Sequence, residues 1–203
     1  MEGFTDDSCL SIFGNVYETG AVVFPEGAHV LEIGCAEADW MTPMLAQRPD
    51  LHLTGIDWRP CDRPGTVVQG DVLTHDWPPN TFDAVVGISS IEHVGLGHYD
   101  ADPLDADGDR HCLERVVRWL KPGGLFYADV PYGETYTVVG DSHRVYDDAA
   151  LAARLVVPGL IETGRFYGQG TGWVSRDRPT DHAHMSYVAL LARKANEEHG
   201  SAL

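Results

Sequence analysis

The chain has 203 residues, of which 43% are hydrophobic, and its formal net charge is −17 from 31 acidic and 14 basic residues. This length and hydrophobic content predict one globular domain with a full core. The negative charge repels phosphate backbones and anionic lipid, so a nucleic-acid substrate is disfavoured and no membrane partner is expected.

Alternating strand and helix patterns run through most of the chain and predict an α/β layered fold. Residues 1–27 are interpreted as an N-terminal cap segment, 28–195 as one domain and 196–203 as a flexible tail. The first half is predicted to contain, in chain order, a helix at 8–17, a strand at 30–33, a helix at 40–47, and strands at 51–56, 66–69 and 82–88. The largely apolar character of the first strand, with Val30, Leu31 and Ile33, is typical of a buried parallel strand.

The second half begins with a polar segment, residues 95–109. Four apolar residues then repeat at helical spacing and predict an amphipathic helix: Leu113, Val116, Val117 and Leu120. The sequence Lys121-Pro-Gly-Gly124 ends this helix, because proline cannot continue it and glycine suits a left-handed cap. The remaining predicted elements are a strand at 125–130, a helix at 147–155 and an antiparallel strand pair at 159–166 and 185–192.

A strand, a glycine turn and a helix start follow one another in His29-Val-Leu-Glu-Ile-Gly-Cys-Ala-Glu-Ala-Asp39. A second apolar run ends on Asp57, about twenty residues after the turn, which is the outline of a nucleotide-binding β-α-β unit. Of the usual glycine-rich pattern only Gly34 is present, and Ala36 and Ala38 allow less backbone freedom. The same pattern occurs in α/β proteins that bind no nucleotide, so both interpretations stay open at this point.

Four segments in a fixed order resemble the class I S-adenosylmethionine-dependent methyltransferases. They are Val30-Leu-Glu-Ile-Gly34, Gly55-Ile-Asp57, Gly70-Asp-Val72 with Phe82-Asp-Ala-Val-Val86, and Leu120-Lys-Pro-Gly-Gly-Leu125. Ser89-Ser-Ile-Glu-His93, Gly95-Leu-Gly-His-Tyr99 and the aspartate-rich 102–109 are similar to an uncharacterised methyltransferase-like group, a domain of unknown function. The resemblance implies a Rossmann-like, doubly wound, mostly parallel seven-stranded sheet with an antiparallel last strand.

The resemblance also implies a cofactor site for S-adenosylmethionine, whose product is S-adenosylhomocysteine. Its predicted contacts are Glu32 before the turn; Gly34, Cys35 and Ala36 in the turn; Asp57 at the ribose, with its neighbour Trp58; Asp71 and Val72 at the adenine; and Ser89 at the end of the fourth strand. Ala36 and Ala38 stand where the family usually has glycine, which is the main departure from its pattern.

Two histidines are candidates for removing a proton from a methyl acceptor, since the unperturbed pKa of histidine is near neutrality. His93 directly follows the fourth predicted strand, and the alternative is that it caps the next segment or packs under the cofactor. His143 lies after the fifth strand, where Arg144 or Tyr146 could orient a polar substrate. The alternative for that segment is a structured polar loop.

A divalent metal is an alternative that the sequence does not favour. Glu92, His93 and His143 are of the ligand types that bind such ions, but adjacent side chains do not easily face one ion. His182 and His184 form a second pair, for which a surface role is favoured. Asp105-Ala-Asp-Gly-Asp109 resembles part of a calcium loop, but a solvated loop whose Asp109 caps the next helix is the simpler interpretation.

The sequence as a whole predicts an enzyme that O-methylates a small-molecule or glycan hydroxyl. A nucleic-acid or protein methyltransferase and a non-catalytic cofactor-binding partner protein are the alternatives. Tyr167, Gly168, Gly170, Gly172 and Trp173 could wall a substrate pocket or form a flexible connection. The oligomeric state stays open, with a homodimer as one option.

The cysteines indicate the cellular compartment. Cys9, Cys35, Cys61 and Cys112 are far apart in the sequence and show no paired spacing. This pattern favours reduced thiols in a cytoplasmic protein over a disulfide framework or a zinc site. The acidic start of the chain lacks the apolar core of a secretory signal.

Overall fold

The computed structural model describes residues 8–97, 104–169, 173–177 and 186–196. The strands, in chain order, are β1 His29–Ile33, β2 His52–Asp57, β3 Thr66–Gln69, β4 Phe82–Ile88, β5 Leu120–Tyr132, β6 Thr137–Val139, β7 His143–Val145, β8 Leu160–Gln169, β9 Trp173–Ser175 and β10 Ser186–Lys194. The helices are α1 Ser8–Glu18, α2 Met41–Gln47, α3 Gly108–Trp119 and α4 Asp148–Ala150, which continues as a π-helical turn, Leu151–Leu155. A 3-10 turn, Ile91–His93, follows β4.

The main sheet has the strand order β3-β2-β1-β4-β5-β10-β8-β9. The first five strands of that order are parallel, whereas β10 runs antiparallel to both β5 and β8. This confirms the predicted doubly wound sheet of seven strands with an antiparallel last strand. The short β9 pairs with β8 and adds an eighth strand at the edge.

Alternate residues of the central strands face two separate apolar layers, as expected for strands with a side-chain period of two. Leu31 and Val85 belong to the layer that also contains α3 and the 148–155 helix. Val30 and Ala84 face the opposite layer, which contains α1 and α2. The sheet is therefore covered on both faces, and its strand ends are the accessible edges. No helix within the described residues is long and apolar enough to cross a membrane.

The predicted boundaries differ from the structure mainly after residue 104. Strand β5 begins at Leu120, directly where α3 ends, and includes the Pro-Gly-Gly segment, in which Gly123 has a positive φ of 74°. The small antiparallel pair of β6 and β7 was not predicted. Asp109 does not cap α3, which corrects the prediction. Asp107 holds the N-cap position, while the buried Asp109 side chain bonds to Tyr146 and Arg154.

The chain reverses its direction of travel across the sheet at β1. Strands β2 and β3 lie on one side of β1, and β4 and β5 lie on the other. In open α/β sheets, ligands bind outside the carboxyl ends of the strands at such a switch point. The carboxyl ends of β1, β2 and β4 carry the turn at Gly34, Asp57 and Ser89 respectively, so the topology brings these three predicted site positions to one edge.

Candidate functional site

The turn after β1 is built so closely that only glycine fits at its first position. Gly34 has φ +86°, and a Cβ added there would lie 2.4 Å from Ser90 Cβ. Its N–H donates to the carbonyl of Ile56 at 2.9 Å, which ties the turn to the end of β2. The space that a side chain would occupy at this position is filled by Ser90, so glycine lets the turn pack directly against the segment after β4.

Asp57 at the end of β2 is buried and fully engaged. One carboxylate oxygen, Oδ2, accepts the N–H of Ala36 at 2.9 Å, and Oδ1 accepts the N–H of Arg59 at 2.8 Å. The Arg59 side chain adds Nε to Oδ1 at 3.1 Å and Nη2 to Oδ2 at 3.4 Å. A carboxylate offers about four lone-pair sites. Two of those on Asp57 accept backbone donors, and the partly exposed Arg59 guanidinium occupies the others.

Arg63, in the loop after β2, donates hydrogen bonds to the turn at Gly34. It was not among the predicted site residues. Its Nε donates to the Cys35 carbonyl at 3.0 Å, and its Nη2 donates to the Ala36 carbonyl at 3.0 Å. These bonds satisfy carbonyl groups of a turn that has no regular partner strand. No local motif marks Arg63, because its partners lie 27 and 28 positions earlier in the chain.

Glu32 lies under the turn as a buried carboxyl group. It is 1% exposed, and no donor meets hydrogen-bond geometry at its carboxyl oxygens among the described residues. Burial raises the pKa of Glu32 well above its ordinary value, although the Trp40 indole is close enough to lower that pKa in part. Buried oxygens without a hydrogen-bond partner are rare and call for a proton, a water molecule or a ligand donor. The predicted role of Glu32 in ordering an amino group is compatible with this environment.

The predicted adenine residues follow the neighbouring strands β2 and β3. Asp71 is buried, and its Oδ1 accepts the N–H of Leu73 at 2.8 Å, which closes a tight turn after β3. Val72 is also buried within this turn. Trp58 is half-buried, and its carbonyl accepts a bond from Gln69 at 3.4 Å. Their role in binding adenine stays a prediction.

Ser89 at the end of β4 has a strained backbone. Its φ is +43°, which is uncommon for a residue other than glycine and concentrates at functional sites. The N–H of Ser89 donates to Asp129 Oδ1 at 3.0 Å, and this aspartate also accepts the Tyr127 hydroxyl at 2.9 Å. These bonds hold the Ser89 hydroxyl 2.7 Å from Glu92 Oε1.

Glu92 is a second buried carboxyl group at this edge. Its Oε1 accepts the Ser89 hydroxyl, and its Oε2 has no partner among the described residues. The buried Arg144 donates to the backbone carbonyl of Glu92 at 3.2 Å. Burial removes the carboxyl group from water and disfavours its ionised form, which raises the pKa of Glu92 to about 7.

Replacement of Glu92 with glutamine is expected to stabilise the fold above neutral pH. The pKa of the Glu92 carboxyl group is about 7 in the folded chain, against an ordinary value of 4.5. Between these two pH values the unfolded chain ionises more readily than the folded chain, so the free energy of unfolding falls as pH rises. Removing that loss should raise the free energy of unfolding by up to about 3 kcal/mol at pH 8, with almost no change near pH 4. Urea unfolding at both pH values measures this. Glu114→Gln, at a half-exposed helix position, is the control. An equal effect of Glu92→Gln at both pH values would contradict the assignment.

The two candidate histidines lie close together. Their ring centroids are 6.2 Å apart, and Ser142 bridges them. His93 Nδ1 is 2.6 Å from the Ser142 carbonyl, and the Ser142 hydroxyl is 3.0 Å from His143 Nδ1. A carbonyl only accepts, so Nδ1 of His93 carries the hydrogen and Nε2 is the basic atom. This Nε2 lies 3.7 Å from Glu92 Oε1.

The predicted substrate residues Arg144 and Tyr146 lie in β7 and directly after it, and their role in binding stays a prediction. Both side chains are fully buried. Arg144 donates to backbone carbonyls, including that of Val94 at 2.8 Å, and the Tyr146 hydroxyl donates to Asp109 at 2.9 Å. Arg154 completes this network with a 2.7 Å bond to Asp109. These hydrogen bonds hold the segment after β4 against β7 and the 148–155 helix.

Within the described residues, no group of three or more histidine, cysteine, aspartate or glutamate side chains is arranged to hold a metal ion. His182 and His184, and the loop residues Asp100 and Asp102, lie outside those residues, as do Gly170 and Gly172. Asp105 Oδ2 pairs with His111 Nδ1 at 2.6 Å, and Asp105 Oδ1 accepts the N–H of Asp107 at 3.0 Å.

A family model described as a Caenorhabditis protein of unknown function, DUF268, matches residues 70–169. No curated protein sequence matches the chain. The similarity is therefore carried mainly by three-dimensional structure.

Several solved structures share this fold over nearly the whole chain. The 4+2 cyclase SpnF has a TM-score of 0.70 at 15% identity, with 96% of this chain and 88% of that chain covered. The Burkholderia thailandensis 1,6-didemethyltoxoflavin-N1-methyltransferase, solved with its substrate and S-adenosylhomocysteine, has a TM-score of 0.65 at 17% identity, covering 96% and 82%. A chain from the Haloferax volcanii complex of the Trm112 methyltransferase activator with a candidate methyltransferase has a TM-score of 0.69 at 16% identity, covering 96% and 93%.

Proposed function

We propose that this chain, which has the fold of the class I S-adenosylmethionine-dependent methyltransferases, binds S-adenosylmethionine and methylates a hydroxyl group of a small molecule or glycan. The observation that carries the proposal is the closed turn at Gly34 beside the buried carboxylate of Asp57. The first lies at the switch point of the sheet, where ligands bind in such folds, and the second supplies a carboxylate that accepts two ribose hydroxyls once the Arg59 guanidinium moves aside. Because proteins of one fold differ in chemistry, the reaction itself is argued from the site.

The residues at this edge fit the cofactor. Glu32 has carboxyl oxygens without hydrogen-bond partners among the described residues, which suits a cationic amino group. Asp57 holds the ribose position, while the buried turn of Asp71 and Val72 offers backbone and carboxylate groups to a base. The cofactor supplies the activated methyl group when bound. The chain itself must align the acceptor, exclude water and remove a proton.

His93 is proposed to remove that proton through Nε2. Its Nδ1–H is held by the Ser142 carbonyl, which fixes the ring. An imidazolium formed at His93 would be stabilised by Glu92, whose Oε1 is 3.7 Å from Nε2, when that carboxyl group is ionised. His143, on the far side of Ser142, is the second candidate base. An acceptor hydroxyl rather than an already nucleophilic amine is favoured because the site offers these basic groups.

The acidic surface supports a small or externally presented acceptor rather than a nucleic acid. The formal charge of −17 repels a polyanion at long range.

Calorimetric titration with S-adenosylmethionine and S-adenosylhomocysteine tests cofactor binding, and transfer of a labelled methyl group to small-molecule and glycan extracts tests catalysis. We expect micromolar binding followed by transfer. Binding without transfer would favour the non-catalytic alternative, and binding to neither compound would remove the basis of the proposal.

Once an acceptor is found, His93→Ala or His143→Ala is expected to lower turnover by about 100-fold, the usual minimum for lost general base catalysis. Affinity for S-adenosylhomocysteine should change little, because neither ring supports the Gly34 turn or Asp57. His52→Ala is the matched control, since His52 is exposed at the opposite end of the sheet. Full activity in both variants would exclude both histidines as the base.

A further inference from the structure

Two cysteines that are 26 positions apart in the sequence lie in contact beside the turn at Gly34. The Sγ atoms of Cys35 and Cys61 lie 3.5 Å from each other. Cys35 directly follows Gly34 and is fully buried, whereas Cys61 lies in the loop after β2 and is partly exposed. The sequence analysis had interpreted both as isolated thiols.

The surrounding residues confine the Cys35 thiol. A Cβ on Gly55 would lie 2.6 Å from Cys35 Sγ and 3.5 Å from the sulfur of Met41, so a larger residue at position 55 would displace the thiol. Arg63, two residues after Cys61, bonds to the Cys35 carbonyl and pulls the loop onto the turn. The contact between the thiols is therefore part of a packed arrangement of the two segments.

The two thiols differ in accessibility. Burial raises the pKa of Cys35 above the ordinary range, so the Cys35 thiol is protonated in the reduced protein. Cys61 is the thiol that a reagent in solution reaches first. This pairing of an accessible thiol with a buried neighbour is the arrangement in which a mixed disulfide is resolved within the chain.

We propose that Cys35 and Cys61 form a reversible intrachain disulfide, and that this modification weakens cofactor binding. The Cys61 thiolate attacks a small disulfide such as oxidised glutathione and displaces one thiol, leaving a mixed disulfide. The Cys35 sulfur, as it loses its proton, then attacks Cys61 Sγ and displaces the second thiol. The two cysteines lose two electrons and two protons together, and the reagent disulfide takes them up as two free thiols.

The effect on the cofactor rests on the proposed function. A disulfide bond is about 2.05 Å long, so the sulfur atoms must approach by about 1.5 Å. Because Cys35 is confined by Gly55 and Met41, the loop of Cys61 must move. That loop also carries Arg59, whose guanidinium occupies the lone pairs of Asp57 that a ribose needs. A bridge two residues from Arg59 draws the loop towards the turn and keeps the Arg59 guanidinium against Asp57, which opposes ribose binding.

The test equilibrates the full chain with reduced and oxidised glutathione at defined ratios. Thiols that remain free are alkylated, and the bridge is mapped by mass spectrometry. The affinity for S-adenosylhomocysteine is measured for the reduced and the oxidised protein. We expect a Cys35–Cys61 bridge and an affinity at least about tenfold lower than in the reduced protein, restored by dithiothreitol. Cys61→Ser should keep the reduced-state affinity under both conditions, whereas Cys9→Ser should respond like the wild type.

Each half of the proposal has its own overturning result. Absence of the bridge at every glutathione ratio would overturn the modification. A bridge with unchanged affinity for S-adenosylhomocysteine would overturn its effect on the cofactor. If reduced protein binds no S-adenosylhomocysteine, the proposed function fails, while peptide mapping still decides whether the bridge forms.

Discussion

Replacement of Gly34 with alanine is expected to lower the free energy of unfolding by about 2–5 kcal/mol and to remove measurable binding of S-adenosylhomocysteine. Two effects add. A positive φ of 86° strains any residue that has a Cβ, and the new methyl carbon would lie 2.4 Å from Ser90 Cβ. The turn or β4 must then shift, and either shift moves backbone that the cofactor is proposed to contact.

Gly20→Ala is the matched control for this prediction. Gly20 has a similar φ of +75°, but a Cβ there meets nothing within 4 Å. It should therefore show the backbone strain alone, about 1–2 kcal/mol, with no loss of binding. Urea unfolding and calorimetry separate the two quantities. Equal effects of the two variants would mean that the approach of Gly34 to Ser90 is unimportant.

The order of elements was predictable because its signals are local. Val30, Leu31 and Ile33 make the first strand largely apolar, and β3 and β4 have the predicted bounds. Hydrophobic periodicity and turn residues report which face of a strand or helix is buried, and this information lies within a few residues. The strand order then followed from the resemblance, rather than from periodicity.

The environment of individual side chains was less predictable, because it depends on distant partners. Arg144 looks like a surface residue in a polar loop, yet its guanidinium is buried against carbonyl groups 38 to 52 positions away. Arg63 and the Cys35–Cys61 contact are of the same kind. In each case polar groups left by an irregular loop are satisfied by a side chain from another loop, which no local pattern encodes.

The aspartate-rich loop shows the same limit in a second form. Asp109 has the residue type and position of a helix cap, and local propensity favours that role. The structure instead buries its carboxylate between Tyr146 and Arg154. A buried carboxylate that is paired with an arginine and a hydroxyl outweighs a solvent-exposed cap, since the buried Tyr146 hydroxyl would otherwise lose its partner.

Asp57→Asn is expected to weaken binding of S-adenosylhomocysteine by about 10- to 100-fold, while Arg59→Met should strengthen it by about two- to fivefold. Hydrogen bonds to a charged acceptor contribute about 1.5–3 kcal/mol, and the asparagine keeps the shape of Asp57 but removes its charge. S-adenosylhomocysteine has no net charge at neutral pH, so the long-range attraction of an acidic protein for a cation does not obscure the comparison.

Arg59→Met acts in the opposite direction because it frees Asp57. The guanidinium bonds at 3.1 and 3.4 Å occupy lone pairs that two ribose hydroxyls require. Methionine keeps the apolar stem and removes the donors, and a partly exposed ion pair of this kind contributes up to about 1 kcal/mol. The two backbone bonds from Ala36 and Arg59 remain and hold the carboxylate in place. Calorimetry on both variants measures the opposed shifts. Weaker binding by Arg59→Met would mean that Arg59 contacts the cofactor rather than competing with it, and unchanged binding by Asp57→Asn would remove Asp57 from the site.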